Sequence, residues 1–150
     1  MSHTYFARSG VTVLELPWAT PPVTANQRLH FRARAKATAL VRGTVGRLAS
    51  DLVPPMRRPR VTLVWLVTTR HRRDADNVVP TLKAACDGLV DAGIAADDTP
   101  EDMDKPMPII HYAKGHPKAP GMFLVIWDSP EATAEEERAI DALTDEEDCS

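Results

Sequence analysis

Hydrophobic and polar positions change period along the chain, and those changes divide it into elements. Residues 11–16 (VTVLEL) combine β-branched side chains with a polar position and predict a first strand. Pro17-Trp18 and Pro21-Pro22 end it and open an irregular segment reaching about Arg28. Over residues 31–53 the period becomes helical. Leu40, Val41, Val45 and Leu48 share one face, Arg42 and Arg47 lie off it, and Pro54-Pro55 ends the run. Gly43 weakens this helix by about 1 kcal/mol relative to alanine, so a break there is allowed.

Residues 61–69 (VTLVWLVTT) are apolar or β-branched on both faces and predict a strand inside a sheet. A second helix is expected over residues 78–92, with Asp76 or Asn77 as N-cap and Pro80 in the first turn. Its buried stripe is Val79, Leu82, Cys86 and Leu89, and Gly93 is the stop. Residues 97–108 are polar and proline-bearing and predict a loop. Strands near residues 108–114 and 121–127 follow, joined by the turn-like GHPKAPG. Together these elements predict an α+β fold in which residues 1–130 form a single domain, with a mixed sheet of about four strands and two main helices. Residues 131–150 form an acidic tail that is either disordered or a short helix around residues 134–143.

The length of 150 residues and the apolar fraction of 43% suit one domain with a substantial core. No apolar run approaches the roughly 20 residues that span a bilayer, and no signal peptide opens the chain, so no membrane partner is expected. Cys86 falls on the apolar side of a helix and Cys149 lies one residue from the end, which argues against a disulfide framework and for a reducing cytoplasm.

The formal charge of −3 conceals an asymmetry. Residues 131–150 hold nine acids against Arg138, a balance of −8, so residues 1–130 carry +5. Between Arg28 and Arg73 twelve Lys and Arg stand against Asp51 alone. A basic body with an acidic tail favours a nucleic-acid partner for the body.

Chemistry concentrates in RHRRDADNVVPTLKAACDGLVDAGIAADD, residues 70–98. Asp74 and Asp76 alternate around Ala75, so an extended backbone points both carboxylates to one side. The pair Asp97-Asp98 follows the helix. Clustered carboxylates repel one another unless a cation lies between them, and oxygen donors suit Mg²⁺ or Mn²⁺. Arg70, Arg72 and Arg73 beside them suit a polyanionic substrate. Taken singly, Asp76-Asn77 would be a helix cap and Asp97-Asp98 a solvated turn. His111 and His116 lack partners at zinc spacing, and Asp102 and Asp104 are expected to be solvent-exposed.

RRDADN, the helical Lys83 and Asp87 four apart, and DAGIAADD resemble the RusA family of Holliday-junction resolvases, whose pattern is an arginine-rich run, D-x-D-N, a helical lysine and D-A-L-x-x-A-G-x-x-x-D-D. Leu16-Pro17-Trp18, Pro21-Pro22 and Asn26 resemble that family's opening L-P-W-P-P-S-x-N motif, so the likeness covers about residues 12–127. It implies that Asp74, Asp76 and Asp98 are catalytic metal ligands, with Asp97 as a lesser neighbour. Lys83 matches the catalytic-site lysine when counted back from Asp87. Counted forward from Asp76 the position is Pro80, because three extra residues separate the motifs. DNA contacts would come from Arg70, Arg72, Arg73, Arg28, Arg32, Asn26 and Asn77. The implied protein is a Mg²⁺-dependent homodimeric endodeoxyribonuclease that resolves four-way junctions by paired nicks in recombination and repair. The alternatives are a branched-DNA-binding module that does not cut and a protein-interaction protein using the acidic tail.

Overall fold

The computed structural model describes residues 5–8, 10–129 and 134–144, with the backbone alone for 5–8. Five strands form one mixed sheet: β1 (Tyr5–Arg8), β2 (Val11–Leu16), β3 (Arg60–Val67), β4 (Ile109–Tyr112) and β5 (Gly121–Trp127). Their order is β1-β2-β5-β3-β4, antiparallel throughout except that β3 and β4 run parallel. Three helices accompany them: α1 (Phe31–Leu52), α2 (Val79–Asp91) and α3 (Ala134–Thr144), with a 3-10 turn (Ala75–Val78) leading into α2. The α+β fold is as the sequence pattern predicts. The strand not foreseen is β1, whose four residues YFAR carry no alternation and which is held by its pairing with β2.

The parallel step from β3 to β4 requires a crossover, and α2 supplies it. Alternation in the sheet then separates two apolar layers. Leu14, Leu16, Leu63, Met122, Leu124 and Ile126 face α1 and α2, while Val11, Val13, Val64, Leu66, Phe123 and Val125 face α3. The acidic segment thus forms a docked helix in its described part, anchored by the buried Leu143.

A buried ion pair fixes α3. Glu136 is 3% exposed, and its Oε1 and Oε2 lie 3.1 and 2.9 Å from the Arg60 Nε. Thr62 Oγ1 also donates to Glu136 Oε1 at 3.2 Å. The other side of the Arg60 guanidinium meets Asp104 Oδ2 at 2.5 Å. Asp104 is therefore a clamp and not the solvated loop carboxylate its surroundings in the sequence suggest. Its backbone carbonyl also accepts from the Val61 amide.

α1 runs unbroken through Gly43 and buries Val41, Val45 and Ala49. Leu40, expected on the buried face, is 52% exposed, because the buried i, i+4 line of Val41, Val45 and Ala49 turns the contact face away from it. In α2, Val79 is likewise exposed, and burial extends to Thr81, Ala84, Ala85 and Gly88 because α1 covers one side of the helix and the sheet another. The close crossing depends on glycine. A Cβ on Gly88 would collide with the Arg42 carbonyl oxygen and lie 3.1 Å from the Gly46 nitrogen. Beside the crossing, Arg42 binds Asp91 through two hydrogen bonds of 2.5 and 2.8 Å.

Gly93 ends α2 as predicted, at φ +79°, with its amide bonded to the Val90 carbonyl and that of Ile94 to the Leu89 carbonyl.

Two glycines of the helix pair should respond oppositely to alanine. Gly88→Ala is expected to lower stability by about 2 kcal/mol through overpacking, whereas Gly43→Ala, whose Cβ would meet only the Arg47 guanidinium at 3.4 Å, should raise it by about 1 kcal/mol. Urea unfolding midpoints measure both. A shift of the same sign for the two would contradict the crossing.

Candidate functional site

β3 ends at Val67, and the chain passes through the arginine run into the 3-10 turn at the head of α2. Neither Asp76 nor Asn77 caps that helix. The turn begins at Asp74, whose backbone carbonyl accepts from the Asn77 amide at 3.1 Å, and α2 takes Val78 as its N-cap with Pro80 in the first turn. Pro80 lacks an amide hydrogen, so one donor at that helix start needs no cap. Both carboxylates are therefore left over. Asp74 and Asp76 are exposed, and neither side chain makes a hydrogen bond or ion pair among the described residues.

The loop carrying the opening motif is fastened to this same turn. Thr81 Oγ1, fully buried, accepts from the Val23 amide at 3.2 Å and donates to the Val23 carbonyl at 2.6 Å. The Ala25 amide donates to the Asn77 carbonyl at 3.0 Å, which sets Asn26 beside the Asp74–Asn77 segment. Trp65 Nε1 donates to the Ala19 carbonyl and steadies the front of the loop. Two motifs about fifty residues apart thus meet at one end of α2.

Asp98 lies in a second group. Its Oδ2 is 3.2 Å from Lys83 Nζ and 3.6 Å from Lys105 Nζ, and its amide donates to Asp97 Oδ1 at 2.7 Å. Lys83 also reaches Asp87, one turn along α2, at 3.9 Å. Partial burial opposes ionisation of Asp98, but the hydrogen bond from Lys83 and the charges of Lys105 and Lys83 outweigh it and hold its pKa below the ordinary value. The same hydrogen bond, with the charges of Asp87 and Asp98, raises the pKa of Lys83. Burial, partly offset by Lys83 and reinforced by Asp98, raises that of Asp87. Cys86, next to this cluster in sequence, is buried with its thiol pushed up to about 12, so it stays protonated at neutral pH.

Lys105 is the member of this group that reading the sequence missed. The available signal is its isolation: it is the sole cation between Lys83 and Lys114, among seven acids.

The arginines divide by task. Arg70 stacks on the Tyr112 ring at 3.9 Å. Arg73 donates to the Thr69 carbonyl, the Thr69 hydroxyl and the His71 carbonyl, and lies 5.2 Å from the Trp65 ring, which makes it a brace for the strand end. Arg72 and Arg28 are exposed, without a hydrogen bond or ion pair among the described residues. Arg32 is exposed beside Phe31.

Carboxylate oxygens are donors that a hard divalent cation takes, and Asp74 and Asp76 offer them unpaired. Asp98 is already satisfied by two ammonium groups. Lys83 holds it against the middle of α2, whereas Asp76 stands seven residues before Lys83, about 10 Å along a helix. Among the described residues no three His, Cys, Asp or Glu side chains stand close enough to hold a metal ion. The donors fit the ion in kind, and their spacing leaves them in two groups.

Lys83→Ala and Lys105→Ala should each raise the Asp98 pKa, and the double variant should raise it furthest, as read by carbon-detected NMR titration of the carboxyl. Because its folded-state pKa lies below the unfolded one, the Asp98 pairing stabilises the fold fully above about pH 4. That contribution disappears as pH falls through the lower folded value. An Asp98 titration unmoved in the double variant would contradict the cluster.

Among the described residues no helix is long and apolar enough to cross a membrane. Compared with known proteins, the chain matches no family model and no curated protein.

Proposed function

We propose that the protein is a divalent-metal-dependent endonuclease acting on branched DNA, similar to RusA-type resolvases. The observation that carries this reading is the pair of exposed carboxylates, Asp74 and Asp76, fixed on one short turn, unpaired among the described residues, and adjacent to an arginine run. Exposed carboxylate oxygens without a protein partner are open to a hard divalent cation.

Mg²⁺ or Mn²⁺ would supply activation of water and charge stabilisation at phosphorus. Asp74 and Asp76 would hold the ion, with Asp98 as third ligand and Asp97 beside it. Lys83, a lysine ammonium on the exposed side of α2 beside Asp87 and Asp98, would act as a cation. In that role it would stabilise negative charge on the phosphate. Arg72 and Arg28, exposed and uncommitted, hold backbone phosphates. Arg70 and Arg73 shape the surface from which Arg72 projects. Two opposed nicks in a four-way junction need two sites, which a two-fold homodimer provides.

A second reading is favoured by the lysines on Asp98: a module that holds branched DNA without cutting it. Lys83 and Lys105 occupy the carboxylate that the metal would need.

Asp74→Asn and Asp98→Asn separate the two readings. Each should reduce Mg²⁺-dependent nicking of a synthetic four-way junction by about a hundredfold or more while retaining binding in EDTA. Cleavage unaffected by both changes would sink the metal assignment. Tight junction binding by the unaltered protein, without nicking in Mg²⁺ or Mn²⁺, would establish the second reading.

A further inference from the structure

The first ten residues of α1 (FRARAKATAL) contribute nothing fully buried; the first buried residue is Val41. Half of a 22-residue helix, about 15 Å of it, therefore lies outside the core. Phe31 at its head is 71% exposed, more than any other large apolar residue described. Its ring is not isolated. The His30 ring lies 4.5 Å from it, centre to centre, and the Arg32 guanidinium lies 5.8 Å from its centroid. His30 Nδ1 accepts from the Arg32 amide, which fixes the three residues as one unit.

Charge selects among the possible occupants of this surface. From Leu16 to Ser50 there are six Lys and Arg and no acid. Packing the same half-helix of a second copy against it would oppose like charges. A bilayer surface needs one apolar face, yet Phe31 and Leu40 are nine residues apart, about two and a half turns, and so point to opposite sides. A polyanion suits both facts. Phosphates explain Arg28, Arg32 and Lys36 but give nothing to an exposed benzene ring. A base face does, and it is accessible where pairing is interrupted.

The position agrees with this. Arg34 donates to the Thr24 carbonyl at 2.9 Å, and Ala25 next to it is bonded to Asn77. Two hydrogen bonds thus connect this half of α1 to the turn that carries Asp74 and Asp76.

We propose that residues 28–40 form a DNA-binding arm in which Phe31 stacks on an unpaired base at a branch point while Arg28, Arg32 and Lys36 hold the flanking phosphates. This rests on branched DNA as the ligand, and on neither the metal, the dimer nor cleavage.

The test is fluorescence anisotropy in EDTA at two salt concentrations. It compares a four-way junction carrying 2-aminopurine at the branch with an unbranched duplex of the same length. Phe31→Ala should weaken junction binding about tenfold, leave duplex binding within about twofold and abolish the 2-aminopurine response, while Phe31→Trp retains all three. Arg32→Gln with Lys36→Gln should weaken both substrates alike and lower the salt slope by about one per charge removed. Phe31 lies outside the core, so its replacement leaves the fold intact, which circular dichroism checks. Phe31→Ala indistinguishable from the unaltered protein on both substrates, or equally impaired on both, would overturn the stacking role while leaving branched DNA as the ligand. Failure of the unaltered protein to bind either DNA would overturn the functional reading itself. A concentration-dependent dimer, or sedimentation with phosphatidylserine vesicles, that is lost in Phe31→Ala would assign the arm to a second copy or to lipid and likewise overturn the proposal.

Discussion

Thr81 lies in the first turns of α2 without exposure to solvent, and its hydroxyl serves Val23 twice, accepting from the amide and donating to the carbonyl. Val23 is itself buried, so its two backbone groups need partners inside the protein. Losing the hydroxyl would strand both, at a cost of roughly 1–3 kcal/mol for each group left unsatisfied. This one side chain therefore decides where the loop after β2 comes to rest. Once Val23 is fixed, Ala25 reaches Asn77 and Thr24 presents the carbonyl that receives Arg34 from α1. The turn with the unpaired carboxylates, the loop and the basic half of α1 become one surface through a buried hydroxyl that does no chemistry.

The opposite face of the sheet has its own constraint. Arg60 binds Glu136 and Asp104 together, joining β3, the loop before β4 and α3. A buried carboxylate of this kind is tolerable only when its charge and hydrogen bonds are met, and here arginine and Thr62 meet them. The fold consequently segregates charge. The acidic helix packs over the layer containing Val13 and Val125, while the basic helix packs over the layer containing Leu14 and Leu124. The described part of the acidic segment is thereby kept on the other side of the sheet from α1 and α2.

Much of this was legible in the sequence where the hydrophobic period is strong. VTVLEL, VTLVWLVTT and the stretch closing at Gly93 fixed their elements to within a few residues, because burial on one or both faces leaves a period that no other arrangement satisfies. What could not be read depended on partners distant along the chain. Leu40 points outward because the α1–α2 crossing at Gly46 and Gly88 selects a different stripe, and one helix alone does not reveal it. Asp104 looked like a loop acid until Arg60 came to meet it. Asp76 looked like a cap, yet the 3-10 turn starts two residues earlier and leaves its carboxylate unused. Lys105 entered through a loop whose path only the folded chain defines.

The candidate site turns on whether its two carboxylate groups act together. Among the described residues Asp74 and Asp76 lack a cationic partner, and Asp98 has two, Lys83 and Lys105. A metal that drew Asp98 into its coordination would compete with Lys83 and Lys105 for the same oxygens, so the lysines set the ease with which the groups join. Titration of Mn²⁺ into isotopically labelled protein, read by paramagnetic broadening of backbone amides, tests this most directly. The account predicts that the amides of residues 74–78 and 97–98 broaden together at the lowest Mn²⁺ additions. Broadening confined to the acidic C-terminal segment, with residues 74–78 unaffected, would contradict it.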